Sequence, residues 1–241
     1  MTSSSATKHQ DQGVHQEDIS RTYTAGGHVE DRSQPGLPTI HRKLANPSPL
    51  GFLSFATSMF LISTFGIHAR GVAIPNVMIA VLICFGGVAQ YIAGIVEFMT
   101  GNTFGASVFV SYGAFNLSYG LIYLPGTGII SAYTDDKTGQ LSSSFNQAIA
   151  IYVWAWFILT VIFTLGAIRG SWVLFIDLLL LDVVLLMLAA GLMVDNSKLT
   201  LAAYSLGYIV AFLSYWAGSA GLLSGATPFE LPMFPMFADR D

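Results

Sequence analysis

The chain has 241 residues, 53% of them hydrophobic and only 10% charged, whereas soluble domains carry about 25% charged residues. That deficit points to a lipid environment, and a net charge of −4 gives no electrostatic case for a nucleic-acid partner. The single cysteine, Cys84, excludes an intrachain disulfide, has no metal-ligand companions and is read as a packed core thiol.

Residues 1–44 are rich in Ser, Thr, Gln, His and Gly. They bury too little apolar surface to offset ordering entropy, so a disordered hydrophilic tail is expected. No apolar h-region marks a signal peptide there. His9, His15, His28 and His41 are irregularly spaced, as solvated tail residues rather than metal ligands. Six apolar runs follow, at 49–67, 74–99, 104–124, 145–168, 172–194 and 199–223. Each approaches the roughly 20 residues that a spanning helix needs. The breaks between them are mostly Gly, Pro, Asn, Asp and Ser, and are mostly short enough to make neighbouring helices antiparallel. The reading is an all-α polytopic membrane protein: a tail (1–44), six transmembrane helices (45–224) and a short C-terminal tail (225–241).

Asn46-Pro47-Ser48-Pro49 opens the first span. Asn46 suits the N-cap, with Pro47 and Pro49 as first and third helical residues, where no intrahelical hydrogen bond is lost. The same helix start carries free amides and partial positive charge, so an anion seat is the second reading. Asn102 and Thr103 open the third span on the same side in the same manner.

Polar residues inside spans usually face a bundle interior or a wet path. Gln90 and Glu97 share a face of the second span beside the small pair Ala89 and Ala93. Tyr112, Asn116, Tyr119 and Tyr123 form a stripe along the third. Asp177 and Asp182 lie about 140° apart around the fifth. Asp177, near the span's start, reaches an interface, whereas Asp182, mid-span, needs a partner, a proton or water. Asn116-Leu117-Ser118 lies within a span, so no glycan is expected. No HExxH, GxSxG, Walker loop or Cys/His cluster is present, so neither an enzyme, a metal site nor a cofactor is expected. Arg42, Lys43 and Arg169 fall on one side of the spans and Arg70, Lys137 and Lys198 on the other. The favoured orientation puts both termini in the cytosol, and no retention signal ends the chain, which favours the plasma membrane.

The segments "NPSPLGF", "GGVAQYIAGIVEF", "GNTFG" and "SYGAF", in this order and spacing, resemble the acetate uptake transporter family. That family comprises bacterial succinate-acetate permeases and fungal acetate and ammonia-export relatives. The resemblance covers about 46–223, and the hydrophilic extension looks like the fungal branch. It implies six helices per protomer, a homo-hexamer in the lipid bilayer, and a substrate path within each protomer. It further implies a constriction of Phe55, Tyr112 and Leu181 with Gln90 beside it. Depth agrees: each constriction residue lies about 12–15 Å into its helix at 1.5 Å per residue, near the bilayer midplane. This sequence departs from the family at Ser48, where Ala or Gly is usual, and at Asn116, where Trp is usual. The second change makes for a wider, wetter path.

The implied function is passage of acetate or a related small carboxylate, linked to H+, through a neck that gates by dewetting. Tyr112 is expected to offer a hydroxyl donor there, and Glu97 or Asp182 to carry the proton. An ammonia or ammonium export channel and a non-transporting membrane sensor are the rival readings.

Overall fold

A computed structural model of the chain describes residues 44–236, apart from Ala73, Ala226 and Phe229. The expected tail disorder and His9, His15, His28 and His41 lie outside the described residues. Six long helices follow one another: α1 (Ser48–Gly66), α2 (Val77–Thr100), α3 (Thr103–Tyr123), α4 (Ser143–Ala167), α5 (Trp172–Met193) and α6 (Ser197–Leu223). All but α3 are long and apolar enough to cross a membrane by length and composition. The 21-residue α3 is equally long, but Ser, Gly, Tyr and Asn interrupt its apolar side chains. The chain is a multi-pass membrane protein, with helix ends within three residues of those read from hydropathy.

Side chains define most helix starts. Asn102 Oδ1 accepts from Gly105 N at 3.0 Å, Ser171 Oγ from Leu174 N at 3.2 Å, and Asn196 Oδ1 from Lys198 N at 3.1 Å. Each satisfies an amide that has no partner within the helix. Thr103 is the first residue of α3, and Asn102 alone is its cap. At α1 the register is one residue later than expected: Ser48 is the first helical residue and Pro47 flanks it. Asn46 still bonds the start, its Oδ1 accepting from Ser48 N at 3.1 Å. Gly101 ends α2 at φ 83°, a left-handed position that glycine adopts without a Cβ penalty.

The helices close a ring in which sequence neighbours run antiparallel. Tyr208 and Tyr215 of α6 donate to Thr64 and Thr57 of α1 at 3.0 and 2.9 Å. Thr164 of α4 donates to Asp182 of α5, and Ser214 of α6 to Asp177 of α5, both at 2.6 Å. Ile92 and Ile95 on α2, Ile151, Ile158 and Ile162 on α4, and Ile209 and Phe212 on α6 cover the outside. Cys84 corrects the sequence reading, because it is exposed on the outer side of α2 rather than packed. It lies two residues beyond the buried Leu82, about 200° around a helix.

Within α2, residues Leu82–Ala89 form a π-helical stretch. Such wide turns are rare and cluster at functional sites. The C-terminal segment folds back onto the bundle: Trp172 N donates to Phe234 O at 2.8 Å and Met236 N to Gly170 O at 3.1 Å. Trp216 Nε1 donates to Pro232 O at 2.9 Å. This segment therefore straps the Ser48 end of the bundle, beside the α4–α5 turn.

Candidate functional site

Three cavities succeed one another between the helices, and the register of their lining residues gives their order. Near the Gly66 end, Ile62, Phe65, Tyr119, Tyr123 and Tyr204 line about 530 Å³. The central cavity, about 550 Å³ of atom-free space, includes Phe55, Ser58, Tyr112, Asn116 and Leu181 in its walls. Towards the Ser48 end, Phe52, Phe55, Gln90, Tyr112 and Asp177 help line about 250 Å³. Along α1 the contributions step from Phe52 through Ser58 to Phe65, and along α3 from Val108 through Asn116 to Tyr123. The cavities therefore lie in series along the bundle axis.

The central cavity and the one on its Ser48 side share two residues, Phe55 and Tyr112. Their ring centroids are 5.2 Å apart, with planes inclined at 43°. Phe163 meets Tyr112 edge-on at 5.8 Å. The two rings thus form the partition between the chambers, and Leu181 stands on its central side. The Tyr112 hydroxyl donates to Thr160 Oγ1 at 2.9 Å, and Thr160 Oγ1 donates to Trp156 O at 2.8 Å. With the threonine proton committed to a carbonyl, the tyrosine proton must serve Thr160. Tyr112 thus offers a lone pair rather than the expected donor.

Donors come from elsewhere. Ser58, which lines the central cavity, and Gln90, which lines the Ser48-side chamber, each carry a buried polar atom, Oγ and Nε2, without a hydrogen-bond partner. Buried polar groups are nearly always paired, so a bare donor on each side of the rings is an unusual arrangement. Asn116 organises this region: its Nδ2 lies 3.1 Å from each of Gly86 O, Gln90 Oε1 and Tyr112 O, two hydrogens shared among three acceptors. Gly86 is required where the π-helical stretch meets α1, because a Cβ there would lie 1.9 Å from Ser58 Oγ.

The two proposed proton carriers sit apart from this axis. Asp182 is buried between α4 and α5, with Oδ2 bonded by Thr164 and Oδ1 bare, and lines none of the three cavities. Glu97 ties three helix ends together instead. It accepts from Ser48 Oγ of α1, from Asn102 Nδ2 at 2.7 Å, and from Thr100 Oγ1 at 3.4 Å. Asn102 thus joins α2 to α3 rather than facing a chamber, and Ser48, the departure from the family pattern, holds α1 to that joint. Asn46 faces a broad surface groove of about 1060 Å³, with Gly221, Glu230 and Met233 among its walls.

Sequence reasoning missed Asp177, Ser58 and Thr160 as neighbours of the path. For Asp177 the signal was present: it lies four residues before Leu181, on the same helix face. For Ser58 and Thr160, no local pattern separates a chamber residue from an ordinary interhelical hydroxyl.

Residues 29–238 match the model of the GPR1/FUN34/yaaH family. The chain belongs to that family. A Saccharomyces cerevisiae relative, "Ammonia transport outward protein 2", is 33% identical over 253 residues, covering 94% of this chain and 88% of its own. "Succinate-acetate/proton symporter SatP" of Escherichia coli K12 is 31% identical over 192 residues, covering 79% of this chain and 88% of its own. The structure of the bacterial acetate channel SatP superposes with a TM-score of 0.68 at 28% identity, covering 79% of this chain and 99% of that one. The resemblance read from "NPSPLGF", "GNTFG" and "SYGAF" is thereby borne out. The yeast relative matches more of the chain than either bacterial comparison does.

Proposed function

We propose that this protein passes small monocarboxylates such as acetate across a membrane, in a proton-linked manner, through the conduit between its helices. One observation carries the reading: two chambers share only the rings of Phe55 and Tyr112, and each chamber holds a buried donor without a partner. A dry aromatic neck excludes water. Ser58 Oγ on one side and Gln90 Nε2 on the other offer hydrogen bonds to a carboxylate that has shed its hydration. The relatives named for acetate permeation support the substrate class. Leu181 closes the neck from α5, and Asn116 sets its width by holding Gln90. The Asn46-Pro47-Ser48-Pro49 start lies at the entrance. Glu97 and Asp182 have less support as proton carriers, because neither lines the chambers.

The protomer works as a homo-hexamer, with the apolar outer faces meeting lipid and neighbouring protomers. The Ser48 end faces the cytosol at the plasma membrane, so both termini are cytosolic. Residues 45–224 form the transporting domain. Residues 1–44 and 225–241 flank it, the latter with its strap under the cytosolic mouth.

Labelled acetate uptake into proteoliposomes tests this reading, with protein-free vesicles subtracted. Wild type should take up acetate, and Ser58→Ala and Gln90→Leu should each slow it several-fold, about the loss of one hydrogen bond near 1 kcal/mol. No uptake above the protein-free level overturns the reading. A second reading, ammonium passage, is favoured by the aromatic lining of the Gly66-end cavity, where Phe65, Tyr119, Tyr123 and Tyr204 present rings to a cation. Labelled or charge-coupled ammonium uptake into the same vesicles above the protein-free level, with no acetate uptake, would select it.

A further inference from the structure

The Ser48-side chamber holds one more group whose hydrogen bonding is incomplete. Asp177 is 4% exposed and lines this chamber with Gln90. Its Oδ2 accepts from Ser214 Oγ at 2.6 Å, while Oδ1 is buried with no partner. Two residues lining the same small space therefore each carry a buried atom without a partner, an acid oxygen on Asp177 and an amide nitrogen on Gln90. The other residues lining it are Phe52, Phe55, Val108, Phe109, Leu174, Leu178 and Tyr112, so no basic side chain stands there to neutralise a carboxylate. Tyr112 on α3, committed to Thr160, is the other titratable residue lining this chamber, and Asp182 lies five residues on along α5, bonded by Thr164.

The consequence for an anionic cargo is direct. An ionised Asp177 places a like charge where the carboxylate must pass, in a space too narrow for much water to screen it. A proton on Oδ1 cancels that charge and turns the acceptor into a donor. The chamber then presents two donors, Asp177 Oδ1–H and Gln90 Nε2–H, to one carboxylate.

We propose that Asp177 is the protonation gate of this conduit: a carboxylate anion crosses the Ser48-side chamber only while Oδ1 carries a proton. This deepens, and rests on, the carboxylate reading of the conduit. The step is an acid–base equilibrium in which hydronium gives its proton to Oδ1 and becomes water, and no bond of the cargo changes. The proton stays on Asp177 while the anion passes.

The test is acetate uptake between pH 6 and pH 8, with protein-free vesicles subtracted at each pH. Acetate itself is more than about nine-tenths anionic over this range, given an ordinary carboxyl pKa near 4–5. The anion supply is thus nearly constant, whereas the neutral acid falls about tenfold per pH unit, so it is the comparison of wild type with a neutral Asp177 variant that reports the gate. Wild-type uptake should fall with rising pH, by up to about tenfold per unit above the midpoint, the slope of one titrating group. Asp177→Asn keeps a donor and cannot ionise, so its uptake should vary by less than about twofold over the same range, near the low-pH wild-type rate. Should the Asn variant fail to fold, Asp177→Ser, also neutral and hydroxyl-bearing, should give the same flat profile. A wild-type profile retained by a folded neutral variant overturns the gate while leaving the carboxylate path standing. So does a flat profile produced by Asp182→Asn instead. Absence of acetate uptake by wild type overturns the path itself.

Discussion

Two buried carboxylates, Glu97 and Asp177, sit on the same half of the bundle and differ in every other respect. Glu97 has donors on both oxygens, supplied by Ser48, Asn102 and Thr100, and touches none of the three cavities. Asp177 has one donor and a bare buried oxygen, and is one of the residues that line a chamber. The difference teaches how to sort acidic residues in a membrane bundle. A saturated carboxylate at helix ends is a joint, whereas an unsaturated one beside a cavity is available to a proton or a passing solute. Depth and residue type alone do not make this distinction, because both are nearly fully buried.

The comparison breaks most readily at Glu97. Glu97→Ala strips the acceptor from two side-chain donors, Ser48 and Asn102, at about 1 kcal/mol each, while Thr100 keeps the Glu97 backbone oxygen at 2.9 Å, so a loss of about 2 kcal/mol is expected. Thermal unfolding in detergent should register it as a large drop, with the pH dependence of the remaining flux unchanged. A stable Glu97→Ala protein with an altered pH profile would put Glu97 in the path. Asn116→Trp should act next most strongly. The indole fills space in the central cavity, which Asn116 lines, so acceptance should narrow toward acetate and uptake of four-carbon acids fall several-fold. An unchanged substrate profile would remove Asn116 from the path.

The smallest expected effect lies at the far end of the molecule, in the turn between α3 and α4. Asp135 Oδ1 accepts from Thr138 N at 2.9 Å and Lys137 N at 2.7 Å. The Thr138 amide first, then that of Lys137, holds its carboxyl below the usual carboxylate range. A depressed folded value means that the turn's extra stability is present above the ordinary carboxylate pKa and lost as pH falls through the depressed one. Amide protection in 133–142, relative to intrinsic exchange at the same pH, should fall under acid before that of the helices does. Equal protection at neutral pH and below the Asp135 value would contradict this.

Much of the fold was legible because hydrocarbon imposes a length and a composition on each crossing. Six runs and their turn residues therefore gave the helices to within three residues. Faces were harder to read. A helix that is apolar nearly all round carries no stripe to orient it, and so Cys84 looked packed. The π-helical stretch at Leu82–Ala89 left only the Gly86-Gly87 pair as a trace. Phe55, Tyr112 and Leu181 came from motif resemblance, and all three line the central cavity. For Asp177 the spacing from Leu181 marked the face, but not the bare oxygen, which depends on Ser214, 37 residues away on another helix. The C-terminal strap escaped, since it is held by backbone hydrogen bonds to Gly170 and Trp172.

The central claim is that the rings of Phe55 and Tyr112 form the narrowest point of a carboxylate path. Its most direct test is the size selectivity of Phe55→Ala, read as the ratio of succinate to acetate uptake in proteoliposomes. Removing one ring of a two-ring neck should raise that ratio several-fold over wild type at the same pH. A ratio equal to wild type, in a folded variant that still takes up acetate, would mean that the cargo passes elsewhere.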